Sequence, residues 1–250
     1  MDQLPRPVFA RVKTLPGGNR NPWHKHSWAQ LTYAIKGVLL VHSDLGTFLA
    51  PPHWAVWIPP EVTHEVIASV RTERRNFFID PSETDWIADR CRVLEVTPLM
   101  RELIRAVAAL PVAYDLAGPD GRLVRVFLDQ LVGLNESQFH LPMPKTPALL
   151  ESCTNLLRSP DTELTVLDIA KTAALSERTL ERTFLRETGL SFREWRVKFK
   201  LMMAIGSLEA TRNVSTTAYA TGYETTSSFI AAFKRQFGKT PGTFLKTLDD

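Results

Sequence analysis

Residues 21–37 read NPWHKHSWAQLTYAIKG. His24 and His26 stand one residue apart, Gln30 follows four positions after the second, and Gly37 lies seven further on. Neutral imidazoles ligate divalent first-row metals, so two on one surface can begin a metal site or line a polar pocket. In a strand this pair would project from the same face, because side chains alternate with a period of two. Such a site either catalyses or senses, and residues far downstream bear on which.

The charge distribution marks a second region. Residues 1–140 hold 15 Lys+Arg against 15 Asp+Glu, and residues 141–250 hold 15 against 12, so the whole net charge of +3 lies in the last 110 residues. Arg178, Arg182, Arg186, Arg193, Arg196, Lys198 and Lys200 crowd into 178–200, against three acidic residues. Such a stretch is a solvated helix surface or a contact for a polyanion.

The elements that position these residues change period along the chain. At 250 residues and 44% hydrophobic content, one large or two modest domains are expected. Between residues 28 and 80 the short apolar runs QLTYAI, GVLLVHS, GTFLA, WAVWIPP, HEVIASV and NFFID predict closely spaced strands, hence a small antiparallel barrel or sandwich. Thr97-Pro98 opens a helix through LMRELIRAVAAL, and a second follows Gly118-Pro119-Asp120. Leu123, Phe127, Leu131 and Leu134, with Val124 and Leu128, make an apolar stripe on the second. That stripe packs on the β domain or forms a dimer contact. HLPMPKTP, residues 140–147, reads as a proline-rich linker.

Beyond the linker the pattern is helical and repeats. Ala170, Ala174 and Leu175 recur 48 positions later as Ala218, Gly222 and Tyr223. Leu180, Phe184, Gly189, Ser191 and Trp195 recur 49 later as Phe229, Phe233, Gly238, Thr240 and Phe244, which places one inserted residue in the turn of the second copy. Ser176 caps the helix ERTLERTFLRE and Gly189 ends it; Ser191-Phe192-Arg193-Glu194 is a capping box for a helix to about Glu209. Ser215 is expected to cap a short helix ending at Gly222, and Thr225 or Thr226 the one through Phe237. Two copies make a duplicated helix-turn-helix rather than a solenoid.

Leu180 and Phe184 must face the core, so Arg178 and Arg182, about 200° round the helix, point outward beside Glu181. Arginines near the start of the second helix of such a unit are placed to meet guanine edges in a major groove. The matching face of the second copy, Thr226, Ser227, Ile230, Ala231 and Lys234, suits thymine methyls and phosphates. A connecting helix of about 19 residues spans roughly 28 Å and can hold two recognition helices about one DNA turn apart.

The stretches ALSERTLERTFLRETGLSFREW and AYATGYETTSSFIAAFKRQFGKTPGTFL resemble the DNA-binding domain of AraC/XylS-type transcription regulators over residues 147–248. The family's base-contacting places fall on Arg178, Glu181 and Arg182, and on Thr226, Ser227, Ile230 and Ala231; the full expected contact set adds Ser176, Glu177, Thr179 and Arg186 to the first copy, and Thr225, Ser228 and Lys234 to the second. Many relatives carry arginine where this chain has Ala231. With that partner, the N-terminal half resembles a cupin sensor. His24, His26, Gln30 and Gly37 match its first motif, with Gln30 where metalloenzymes usually carry Glu; Pro59-Pro60-Glu61-Val62-Thr63-His64 resembles the second, with Glu61 where glycine is usual.

The resemblance implies an α+β two-domain protein: a cupin-like antiparallel β-barrel with trailing helices at 1–140, a linker at 141–147, and an all-α double helix-turn-helix at 148–250. The expected function is a transcription regulator, not an enzyme, with duplex promoter DNA and a small-molecule effector as partners and a homodimer as a further possibility. His24, His26, Gln30 and His64 would line the effector pocket or hold a divalent metal, with Trp23, Trp28, Tyr33, Trp54 and Trp57 as candidate apolar walls. The rival is a cupin dioxygenase or isomerase fused to a helical domain. Cys91 and Cys153 lack metal or redox spacing and are expected as reduced thiols. No apolar run reaches membrane-span length, and MDQLPRPVFARVK lacks a signal-peptide core, so a cytoplasmic protein without membrane contact is expected.

Overall fold

The computed structural model describes residues 4–43, 46–68, 71–84, 90–137, 141–158 and 165–247. The chain divides into two compact units, Met1–His140 and Leu141–Asp250. Among the described residues no helix is long and apolar enough to cross a membrane.

Among the described residues the first unit has nine strands: β1 (Val8–Leu15), β2 (Asn19–His24), β3 (Ala29–Lys36), β4 (Leu39–Ser43), β5 (Gly46–Ala50), β6 (Trp54–Ile58), β7 (His64–Ala68), β8 (Thr72–Ile79) and β9 (Arg92–Glu95). They form two antiparallel sheets, ordered β1-β8-β3-β6-β9 and β2-β7-β4-β5. The fold is thus a two-sheet arrangement; no backbone ladder closes it into a barrel among the described residues. The six apolar runs became β3 to β8, whereas β1, β2 and β9 lay outside the runs read as strands. Gly37, at φ +83°, is required at the β3–β4 turn, since a Cβ there would sit 2.5 Å from Thr72 Oγ1 and 2.6 Å from the Arg71 carbonyl oxygen.

Two helices, α1 (Pro98–Ala108) and α2 (Pro119–Val132), pack against the five-stranded sheet. Thr97 caps α1, its Oγ1 accepting from the Met100 N–H at 3.1 Å. The α2 stripe packs on its own domain: Val124, Phe127, Leu128 and Leu131 are buried with Leu31, Tyr33, Trp57 and Phe77, and the Phe77 and Phe127 rings lie 4.9 Å apart. Each large apolar side chain buried in this way contributes about 1.5–3 kcal/mol. Alternation sends the intervening residues of β3 and β8, Gln30, Thr32, Asn76 and Phe78, to the other face; there the Thr32 hydroxyl donates to Asn76 Oδ1 at 2.7 Å.

The second unit contains α3 (Pro147–Arg158), α4 (Val166–Thr172), α5 (Glu177–Thr188), α6 (Phe192–Thr211), α7 (Val214–Ala220), α8 (Thr226–Phe237) and α9 (Pro241–Thr247). The two copies are α4–α5 and α7–α8. Their turns match atom for atom in the backbone: Leu175 N–H donates to Ala170 O at 2.9 Å, and Tyr223 N–H to Ala218 O at 3.0 Å. Both turns pass through a left-handed residue, Ala174 at φ +52° and Gly222 at φ +78°. Ser176 caps α5, Ser191 caps α6 with a full capping box, and Thr225 caps α8. Glu224 is therefore the inserted residue. Asn213, not Ser215, caps α7, its Oδ1 accepting from the Thr216 N–H at 2.9 Å; an amide oxygen two residues earlier outcompetes the serine hydroxyl.

The proline-rich stretch expected as a linker is packed rather than solvated. Leu141 and Met143 are buried, the Trp195 indole N–H donates to Pro142 O at 2.7 Å, and the Glu187 carboxylate accepts from the Lys145 and Thr146 N–H groups and the Thr146 hydroxyl. Burial opposes the ionised Glu187, yet these hydrogen bonds prevail and hold its pKa below the usual carboxylate value. Cys91 and Cys153 are both buried thiols outside any disulfide, and burial raises the pKa of the Cys153 thiol strongly.

Candidate nucleic-acid interface and ligand cleft

In the second unit the cores of both copies fix which side chains face outward. Leu180 and Phe184 are buried with Phe192, Trp195 and Phe199; the Phe184 ring lies 5.5 Å from Phe192 and 6.0 Å from Trp195. Phe229 and Phe233 play the same part in the second copy, with Phe244 5.4 Å from Phe233. Opposite these cores, Ser176, Glu177, Arg178, Arg182 and Arg186 are exposed, as are Thr225, Ser227, Ser228, Ala231 and Lys234; Thr179, Glu181, Thr226 and Ile230 are partly exposed. Neither Arg178 nor Arg182 is engaged by another side chain among the described residues. Glu181 is less available, because its Oε2 accepts from the Phe192 N–H at the start of α6, at 3.5 Å. Arg186 reaches Glu187 at 3.5 Å. Tyr219 on α7 is 61% exposed and Arg235 lies in the last turn of α8; neither carried a local sequence signal.

In the first unit His24, His26 and His64 converge, one ring nitrogen from each lying within 4.8 Å of the others. They do so differently from the expectation. His24 ends β2 and pairs with His64 at the start of β7, but His26 lies beyond the strand, so alternation does not place it. The loop after β2 turns it inward, where its ring stacks on Trp28 at 5.2 Å and meets the His64 ring at 5.1 Å. The Glu61 N–H donates to His26 O at 2.9 Å, and Glu61 takes φ +61°. The backbone thus keeps the left-handed turn that glycine would provide there, which brings His64 to the cluster.

Each ring is held through Nδ1 by a backbone carbonyl: His24 by Pro22 at 2.7 Å, His26 by Trp28 at 2.7 Å, and His64 by Val62 at 2.9 Å. A carbonyl can only accept, so Nδ1 carries the proton and Nε2 is the lone-pair nitrogen. Such outer partners orient metal-binding imidazoles in general. His26 Nε2 lies 3.1 Å from Gln30 Oε1, while buried Gln30 Nε2 has no partner. Two lone pairs so placed are reconciled by a shared cation, since donors at about 2.1 Å from a metal stand roughly 3.0–3.4 Å apart, or by the amide turned so that Nε2 donates. The donor set of three imidazoles and one carboxamide fits a divalent metal. Burial is the main cause that lowers the His26 pKa, with neighbouring His24 adding to it and hydrogen bonds to Trp28 and Gln30 opposing.

His24 and His26 of the cluster help wall an open cleft of about 510 Å³, lined also by Trp28, Phe78, Arg11 and Lys25, while His64 is buried behind them. That volume suits a small organic ligand. Of the aromatic walls expected, Trp28 lines the cleft, whereas Tyr33 and Trp57 belong to the core under the helices, Trp54 is buried and Trp23 is 48% exposed. Phe78 and Arg11 were missed, because only cross-strand register brings them to this place.

Comparison with known proteins agrees with this division. Residues 9–133 match the family model of the AraC-like ligand binding domain, and residues 169–247 match a helix-turn-helix domain. The chain is 33% identical over 228 residues to the HTH-type transcriptional regulator NimR of Escherichia coli (strain K12), covering 91% of this chain and 83% of that protein. The HTH-type transcriptional regulator RipA of Corynebacterium glutamicum is 35% identical over 107 residues, 42% of this chain and 32% of that one. Among solved structures, ToxT from Vibrio cholerae O395 aligns over 97% of this chain and 98% of its own at 13% identity, with a TM-score of 0.41. On its ligand-binding and helix-turn-helix domains, and on its match to NimR along most of both chains, this protein belongs to the AraC-type transcription regulators.

Proposed function

We propose that this regulator reads promoter DNA through α5 and α8, with Arg178 and Arg182 as the principal base-reading pair, and that a small molecule in the cleft of the first unit modulates that binding. The observation that carries the reading is the pair of exposed arginines on the outer face of α5, opposite a core that fixes the helix's orientation. Arg178 and Arg182 bring ten N–H donors between them, whereas their repeat partners Ser227 and Ala231 bring one hydroxyl and a methyl. Base discrimination therefore concentrates under the first helix, and the second contributes mostly backbone affinity and position. Because one chain carries both recognition helices, it can contact two successive grooves without a partner.

Binding-site selection with the full chain tests this. Arg182→Ala is expected to flatten the preference at one or two base pairs, a loss of about 1–3 kcal/mol of discrimination, while Ser227→Ala changes little. Greater loss of sequence information in Ser227→Ala than in Arg182→Ala would refute the assignment.

His24, His26, Gln30 and His64 are the residues that would hold a divalent metal at the wall of the cleft. When bound, the ion would add a positive charge and a coordination site for a ligand oxygen or nitrogen. The chain's own groups orient the rings and keep His26 neutral. We read this site as sensory: Gln30 supplies an amide where a carboxylate would hold the ion more tightly, and the curated relatives above are transcription regulators. The regulator would act in the cytoplasm, where its DNA is.

A further inference from the structure

Arg74 on β8 is 7% exposed, and its Nη1 has no hydrogen-bond partner. Burial alone lowers its pKa, and no carboxylate acts against that. Taking a guanidinium out of water without a counter-charge is costly, so natural chains rarely leave one in this state without a use for it.

Register shows what the group faces. Arg74, Asn76 and Phe78 alternate on one face of β8, where Phe78 walls the cleft and Asn76 receives the Thr32 hydroxyl. On the flanking strands Lys13 of β1 and Ala34 of β3 stand directly opposite Arg74, and Arg11 opposite Asn76. No Asp or Glu occupies this face of β1, β3 or β8. Like charges opposite one another on adjacent strands repel, so Lys13 and Arg74 share a need for an anion. On the other side Ala34 presents only a methyl group to the guanidinium.

We infer that the effector is a small amphipathic carboxylate, with its charged end on Arg74 in the field of Lys13 and Arg11, and its apolar end against Phe78 and Trp28. This rests on the reading of the first unit as the ligand-binding domain. A guanidinium meets a carboxylate with two parallel N–H···O bonds, and Nη1 is the donor in want of one. Arg74 and Phe78 are four residues apart, about 13 Å along the strand; the arginine side chain covers part of that span and an aryl or medium alkyl tail covers the rest.

The test is titration calorimetry and thermal unfolding of the full chain with 3-phenylpropanoate and octanoate, against 3-phenylpropanamide and octanamide. Wild type, Arg74→Met and Arg74→Lys are compared. Wild type is expected to bind the acids at least about tenfold more tightly than the amides. Arg74→Met should lose that preference and, without ligand, melt above wild type, while Arg74→Lys should retain part of the preference. Should Arg74→Met fail to fold, the acid-to-amide ratio of wild type and of Arg74→Lys decides. Equal binding of acids and amides by wild type, or an acid preference unchanged in Arg74→Met, overturns the anion and leaves the cleft as a ligand site. Binding of none of the four overturns the anion and counts against the ligand-binding reading as well.

Discussion

Three backbone carbonyls, those of Pro22, Trp28 and Val62, hold the imidazoles of the cluster by Nδ1, and burial lowers the pH at which His26 takes a second proton. This has a signed consequence for pH. In the unfolded chain His26 takes up its proton near its ordinary pKa of 6.5, and in the folded chain only at lower pH. Between those two values the unfolded state binds the extra proton, so stability falls as pH drops from 6.5 towards the folded pKa and levels off below it. Above 6.5 the group contributes no slope. Thermal midpoints from about pH 5 to pH 8 should show this acid limb in wild type and a shallower one in His26→Ala; equal slopes would contradict it. A second expectation concerns the metal. Wild type loaded with Zn²⁺ and desalted should retain the ion, and His24→Ala/His64→Ala should not, while binding of DNA by the second unit is unchanged. Less than roughly a tenth of an equivalent in wild type by elemental analysis would remove the metal from the site. His24 and His26 were legible from their local spacing and His64 from the resemblance of its motif, whereas the loop that places His26 was not. Arg11, Phe78 and Arg74 were not legible, since their shared face is created by pairing of β1, β3 and β8 across long stretches of sequence.

The two helix-turn-helix copies solve the same backbone problem with different residues. Ala174 and Gly222 both occupy the left-handed region, where a Cβ costs roughly 1–2 kcal/mol. Ala174→Gly relieves that cost but gives the unfolded chain more freedom, so a net gain of about 0.5–1 kcal/mol is expected. Gly222→Ala should lose about as much by the same reasoning; its Cβ would also approach Lys200 Nζ at 3.3 Å, though a flexible side-chain end can move. Circular dichroism during thermal unfolding of the helical unit checks both, and destabilisation by Ala174→Gly would contradict the strain. Element ends were largely legible because caps are short-range chemistry: Thr97, Ser176, Ser191 and Thr225 each accept from the N–H three residues on. Ser215 was misread because Asn213 offers a competing acceptor just upstream. The packing of residues 141–146 was not legible at all. It depends on Glu187 and Trp195, tens of residues away, and proline content alone cannot distinguish a free linker from a docked one.

At the scale of the molecule, the compact units Met1–His140 and Leu141–Asp250 divide sensing from DNA reading. A ligand can shift DNA affinity only by as much as it distinguishes two states of the chain. Residues 142–146, within the second unit, are held there by Trp195 and by Glu187 of α5. The sequence announced the second unit plainly through its repeat, and the first through two histidine motifs and a run of strands. On the proposed reading α5 and α8 together bind duplex DNA in a sequence-specific way. Fluorescence anisotropy of the full chain, on a selected duplex and on a scrambled duplex of equal composition, tests it most directly. Across about 50–200 mM salt both affinities should fall as Lys and Arg contacts release counterions. Near physiological salt the selected duplex should bind about a thousandfold or more tightly than the scrambled one. Equal affinity for the two duplexes at every salt concentration would contradict it.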